Sequence, residues 1–259
     1  MVSADQPGPA GTSGGGTAGR RMTKRDWRIL VSGVIAITLA GLIVTAILVA
    51  ARPRSTTLLR PSGIPRSVPT RLADLMQLSP LPHRPAPGFT LTDQNGRTMS
   101  LSALRGKVVV LEFMDSHCVD ICPIVSQEFV AAYHDLGPAA GKVVFAAINV
   151  NQYHASVADM AAYSREHGLT AIPSWHFFTG PLPALQAAWR AYEIEVRAPS
   201  PNADIIHTSA VYLIGPAGQE MFLASPMADH TRKGTAYLPA SQLAGWGRGI
   251  ALLASYLAH

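Results

Sequence analysis

The sequence predicts an α/β sandwich built on a mainly parallel sheet and carried by a single membrane-spanning helix. Three observations point there. Lys107–Met114 and Lys142–Val150 are nearly unbroken apolar runs, the pattern of central parallel strands buried on both faces. Each run is followed by a helical pattern, Pro123 to about Leu136 and then Ser156–His167, so strands and helices alternate as in a wound sheet. Upstream, Ile29–Ala51 contains 23 consecutive residues without a charge. As a helix rising about 1.5 Å per residue this stretch spans roughly 34 Å, enough for the hydrocarbon core of a bilayer.

Taken in order, residues 1–28 form a disordered cytoplasmic arm, because Met1–Gly19 is rich in Gly, Pro, Ser and Thr and holds almost no apolar bulk to offset ordering entropy. Residues 29–51 are the transmembrane helix; the apolar region of a cleaved signal peptide is only about 7–15 residues long. Five basic residues precede this helix and five follow it before Ala73, but those in front are the tighter cluster. A long C-terminal domain crosses largely regardless of flanking charge; this, together with the family resemblance given below, places the amino terminus in the cytoplasm and the domain outside the cell membrane. Residues 52–86 repeat Pro and Arg and read as a semi-extended tether.

The folded domain is expected over 87–259. Phe89–Leu101 reads as a hairpin turning at Asn95-Gly96 through a type I′ turn. After the two strand–helix units come a short strand at Ser174–Phe178, a helix from Pro183 to about Tyr192, a hairpin of Ala210–Ile214 with Glu220–Ala224, and a closing helix Ala240–Ala258. Trp175, Phe177 and Phe178 are expected in the core. This order is that of a thioredoxin-like sandwich with an N-terminal β-hairpin and an inserted strand and helix.

Charge excludes one class of partner. Of 21 basic and 16 acidic residues, five and two precede Ile29, which leaves 16 and 14 for the rest of the chain. That part is nearly neutral and has no basic stripe with interleaved aromatics, so nucleic-acid binding is disfavoured.

The chemistry is concentrated at the two cysteines, in His117-Cys118-Val119-Asp120-Ile121-Cys122-Pro123 at the end of the first central strand. A secreted protein stabilised by disulfides normally carries a larger framework than one pair. Redox loops of this layout normally hold two residues between the sulfurs, whereas here there are three. A wider loop suits two thiolates that, with a third ligand, hold a soft, low-coordinate ion such as Cu(I); thiol exchange is the second reading. Among nine histidines, His134, His154 and His167 read as solvated, and His83 and His259 fall in tether and tail. His207 shortly precedes the strand Ala210–Ile214, whose entry lies against the cysteine loop in such a sheet, and it can complete a Cys₂His site. His117, adjacent to Cys118, serves at most as an outer neighbour. Asp120 either orients His207 or a protonated thiol, or caps the following helix.

The chain here resembles the Sco (synthesis of cytochrome c oxidase) copper-chaperone family. The likeness is carried by Ala86–Arg97, Leu104–Val110, Cys118-Val119-Asp120-Ile121-Cys122-Pro123 and His207–Ile214, and covers about residues 86–258 together with the N-terminal anchor. By that resemblance Cys118, Cys122 and His207 are the ligands of Cu(I) or Cu(II). The partner is the copper-bearing subunit of cytochrome c oxidase, or another copper-assembly protein, and the task is to deliver copper to its dinuclear site or to reduce the cysteines there. Three departures stand out: Val119 where proline is common, the acidic lead-in Glu112–Ser116, and a long segment Ala224–Leu238 that includes His230.

Two functions of different class follow. In the first, the protein is a metallochaperone and not an enzyme, passing copper by ligand exchange. In the second it is an extracytoplasmic thiol–disulfide oxidoreductase acting on exported or apo-oxidase cysteines, in which Cys118 attacks a substrate disulfide and Cys122 resolves it. Both use the same redox-active pair.

Overall fold

A computed structural model describes residues 62–259 continuously, and before them Lys24, Arg25, Trp27, Arg28 and residues 31–33, 37–38 and 41–43, all helical. The expected arm 1–28 and span 29–51 lie mostly outside the described residues. Among those described, no helix is long and apolar enough to cross a membrane.

The domain has the expected α/β fold. Its six-stranded sheet runs β1 (Ser79–Pro80), β10 (Glu220–Ala224), β9 (Val211–Ile214), β4 (Val108–Met114), β5 (Val143–Asn149) and β6 (Trp175–Phe178). β4, β5 and β6 are parallel, with Val108 opposite Val143 and Phe145 opposite Trp175; β9, β10 and β1 add antiparallel neighbours. Every residue of β4 and β5 is buried, which is why these strands read as continuous apolar runs.

Successive side chains of β4 point to opposite faces, so the strand feeds two cores. Val108, Val110 and Met114 pack with Phe129, Phe145 and Trp246, beneath α2 (Ile121–Leu136) and α5 (Ala240–Leu257), which lie against each other. Val109, Leu111 and Phe113 pack with Leu185, Trp189 and Tyr192 on the side of α4 (Leu182–Ala191). A methyl group on Gly247 of α5 would stand 2.7 Å from the Ala131 Cβ of α2, so the small residue lets the two helices approach closely and anchors the helix that carries Cys122. Trp175, Phe177 and Phe178 are buried, as expected.

Three readings need correction. Residues 62–86 are not a tether: they form α1 (Thr70–Leu75) and the edge strand β1, and bury Val68, Met76 and Leu78 in the domain core. The prolines that suggested an extended linker instead sit at an edge strand and just before a helix, where a missing N–H donor is tolerated. The hairpin β2 (Thr90–Thr92) with β3 (Thr98–Ser100) is present, but its turn is not type I′. Asn95 does not take a positive φ; Gly96 alone does, at +77°, after an Asp93–Gly96 turn closed by a 2.9 Å backbone bond. The Asp93 carboxylate accepts from the N–H groups of Asn95 and Arg97, so an Asx turn sets the geometry. Finally, α2 begins at Ile121, two residues before the expected Pro123, which brings Cys122 into its first turn.

Two small hairpins went unpredicted. β7 (Val196–Arg197) pairs with β8 (Ile206–His207), and β11 (Asp229–His230) pairs with β12 (Ala236–Tyr237). With only two residues per strand, neither presents a periodic pattern long enough to read. The remaining helix, α3 (Val157–Glu166), starts at a capping box of Ser156 and Asp159 and ends before Gly168 at φ +70°.

Candidate metal centre

The loop after β4 is held from inside by the buried carboxylate of Asp115. That group accepts from the His117 N–H at 2.8 Å and from Asn151 Nδ2 at 2.8 Å, while the Asp115 carbonyl accepts from the Cys118 N–H at 3.2 Å. Asn151 belongs to the loop after β5, so the C-terminal ends of two adjacent parallel strands are tied together at the mouth of the site.

Both cysteines are free thiols, Cys118 half-buried and Cys122 buried. The two side chains hydrogen-bond, and that bond, with backbone N–H groups of the first turn of α2, lowers the Cys118 thiol to about 7. The same bond, with burial, raises Cys122 well above its ordinary value. The outer sulfur is thus the first of the pair to lose its proton, and the thiolate is the form that attacks or binds metal.

His207 closes β8, opposite Val196. Its Nδ1 lies 2.9 Å from the Thr208 carbonyl, an acceptor, which fixes the proton on Nδ1 and leaves the Nε2 lone pair as the ligand atom. Burial lowers its pKa despite the Thr208 bond and the charge of Asp115, so the ring is neutral, as a ligand must be. Asp115 also acts on Cys118, and Ser209, two residues on, donates to Glu112 Oε1 of β4 at 3.1 Å. These links bring the His207 segment to the cysteine loop. They do not close the three groups around one point, since among the described residues the ligand-type group whose donor atoms all lie within 4.8 Å of one another is a different one: His117, His154 and Asp159.

His154 does not behave as its sequence context suggested. Instead of a solvated helix-side residue, His154 stacks on His117 with ring centres 3.6 Å apart. Asp120 precedes α2 but makes no side-chain cap; its Oδ1 lies 2.9 Å from Nε2 of His230 in β11.

Beneath the sulfurs lie two acids that sequence reasoning passed over. Glu112 shares the α2-facing side of β4 with Val110 and Met114, and burial raises its carboxyl to about 8. Glu128 of α2 is raised well above the usual range by burial and then by Glu112. Its two oxygens and Glu112 Oε2 have no hydrogen-bond partner. A glutamate inside the apolar run Val108–Met114 was the available signal.

The model of the SCO1/SenC family matches residues 80–236. The chain belongs to that family. Similar proteins include an SCO1 protein homolog of Bacillus subtilis, 25% identical over 133 residues, 51% of this chain and 68% of that one. A mitochondrial SCO2 homolog of Bos taurus is 29% identical over 136 residues, half of either chain; this Sco chain thus spans about half the length of its bovine relative. Among solved structures, Bradyrhizobium japonicum ScoI with copper bound has a TM-score of 0.52 at 23% identity, covering 67% of this chain and 99% of that one. A SCO1/SenC family lipoprotein of Bacillus anthracis has a TM-score of 0.56 at 22% identity, covering 70% and 98%. These structures share the fold seen here.

Proposed function

We propose that this Sco-family protein is a membrane-tethered copper carrier that holds Cu(I) between Cys118 and Cys122, with His207 as third ligand, and passes it to a copper-bearing subunit of cytochrome c oxidase or another assembly protein. The observation that carries this reading is the pair of free, mutually hydrogen-bonded thiols whose outer member is lowered to about 7. Two soft sulfurs on a short loop, with a neutral imidazole on a neighbouring segment, are the donor set that suits Cu(I) and that tolerates Cu(II) through nitrogen. The Bradyrhizobium relative's structure has copper bound. His207 ends a two-residue ladder, short enough that a small shift of its last residue would carry the ring toward the cysteines. The single span over Ile29–Ala51, with the domain on the extracytoplasmic side, completes the reading; the span rests on the charge-free run, and the orientation on the basic cluster before it and on the family resemblance.

The asymmetry of the thiols favours a second reading, the oxidoreductase. A half-exposed, acidic Cys118 and a buried, high-pKa Cys122 have the character of an attacking and a resolving thiol. His207→Ala separates the two. A carrier loses copper affinity while its disulfide still forms and is reduced; a reductase keeps copper binding and loses exchange rate, and that second pattern would overturn the carrier reading.

A further inference from the structure

We propose that His117, His154 and Asp159 form a second metal site, for a borderline divalent cation such as Cu(II), beside the thiolates and independent of them. The three donors come from three elements: the loop after β4, the loop after β5 and the first turn of α3. Their ligand atoms all lie within 4.8 Å of one another, with His117 Nε2 3.9 Å from Asp159 Oδ1; the two rings stack with centres 3.6 Å apart, so one of them turns about its side-chain bonds to aim both nitrogen lone pairs at one ion.

The arrangement is built rather than incidental. Asp115 and Asn151, both buried, bolt the two histidine-bearing loops together. Buried Asn149 donates to the carbonyls of Asn151 at 2.8 Å and His154 at 3.0 Å, and Ser116 Oγ donates to the His154 carbonyl at 3.1 Å. Asn151 Oδ1 in turn accepts from the His154 N–H at 3.2 Å. The backbone on either side of both rings is thereby fixed by side chains of low exposure. Asp159 is likewise held: its Oδ2 accepts from the N–H and hydroxyl of Ser156, at 3.0 and 2.6 Å, and Oδ1 is left facing His117. Burial opposes its ionisation, but the Ser156 bonds and both imidazoles keep the carboxyl below its usual range, so the group supplies a full negative charge.

Two imidazoles and one carboxylate are a nitrogen–oxygen set, which prefers Cu(II) or Zn(II) where two thiolates prefer Cu(I); Cu(II) leads by the Irving–Williams order. The site opens onto a cleft of about 540 Å³ whose wall also carries Cys118, with room for water or a transferring ligand to complete the coordination. The two sites therefore share one entrance and differ in the oxidation state they favour.

The test uses the full chain in detergent with both thiols removed, Cys118→Ser with Cys122→Ser, so that its outcome is separate from that of the carrier reading. Titrated with Cu(II) alone, this protein should bind one ion per chain and show nitrogen superhyperfine structure in its electron paramagnetic resonance spectrum. Adding His154→Ala should weaken binding by more than the roughly 10–100-fold that loss of an outer-shell partner costs, and Asp159→Asn, which keeps the cap acceptor, should do the same; His134→Ala, at an exposed histidine of α2, should change nothing. Wild-type chain alkylated at the cysteines provides the same measurement should the double serine variant not fold. Failure of a folded thiol-free protein to bind Cu(II) would overturn the site, as would binding that survives His154→Ala.

Discussion

Asp120 and His230 are 110 residues apart in the chain, and Oδ1 of one meets Nε2 of the other at 2.9 Å. Asp120 lies between the cysteines and His230 in β11, so the pair pins the β11–β12 hairpin to the cysteine loop. The long segment Ala224–Leu238, which had no role in sequence, is thereby a strap over the end of the site.

Both partners are about half exposed, and an exposed ion pair contributes at most about 1 kcal/mol. His230→Ala should therefore leave global stability nearly unchanged while amide exchange across residues 226–237 quickens by up to about fivefold. Asp120→Asn should give a similar change, and the double variant no further one. An effect from only one of the two single variants would show that the hairpin is held by something else.

Thiol chemistry should follow the lowered Cys118. Alkylation of the reduced protein should rise with pH to a plateau, with a midpoint near 7, against about 8.5 for an unperturbed cysteine. The midpoint belongs to the coupled pair, and below it the rate should fall about tenfold per pH unit. In Cys122→Ser, where a hydroxyl replaces the thiol donor, the midpoint should move; a wild-type midpoint at or above 8.5 would contradict the hydrogen-bonded pair.

Glu112 predicts a stability profile. Its folded pKa, about 8, lies above the unfolded value of about 4.3, so its contribution is fully present below about pH 4.3 and is lost as pH rises toward 8. Each proton concerned gives a slope of about 1.4 kcal/mol per pH unit. Glu112→Gln, which can still accept from Ser209, should flatten the profile by about one proton between pH 5 and 8 in urea unfolding of the compact unit Leu58–His259. Parallel profiles for the two proteins would mean that Glu112 is ionised in the fold.

What was legible in the sequence was whatever leaves a periodic or spaced trace. β4 and β5 show as apolar runs because they are buried on both faces, and the cysteine loop was placed correctly at the end of β4. The contact of His117 with His154 leaves no such trace, since it is created by adjacent strands delivering two loops to one edge of the sheet. The strap is invisible for the same reason, its two-residue strands being too short to alternate. The stretch 62–86 misled in the opposite sense: its prolines outweighed Val68, Met76 and Leu78, which turn out to be core.

The central claim is that Cys118, Cys122 and His207 hold copper as cargo, and anaerobic Cu(I) titration of the reduced full chain against a competing chelator, followed by X-ray absorption, tests it most directly. One tightly held Cu(I) per chain with two sulfur neighbours and one nitrogen is the predicted result; tight binding should vanish in Cys118→Ser and in Cys122→Ser, and in His207→Ala the nitrogen neighbour should be lost. Unchanged affinity in either serine variant, or a spectrum without sulfur, would contradict the account.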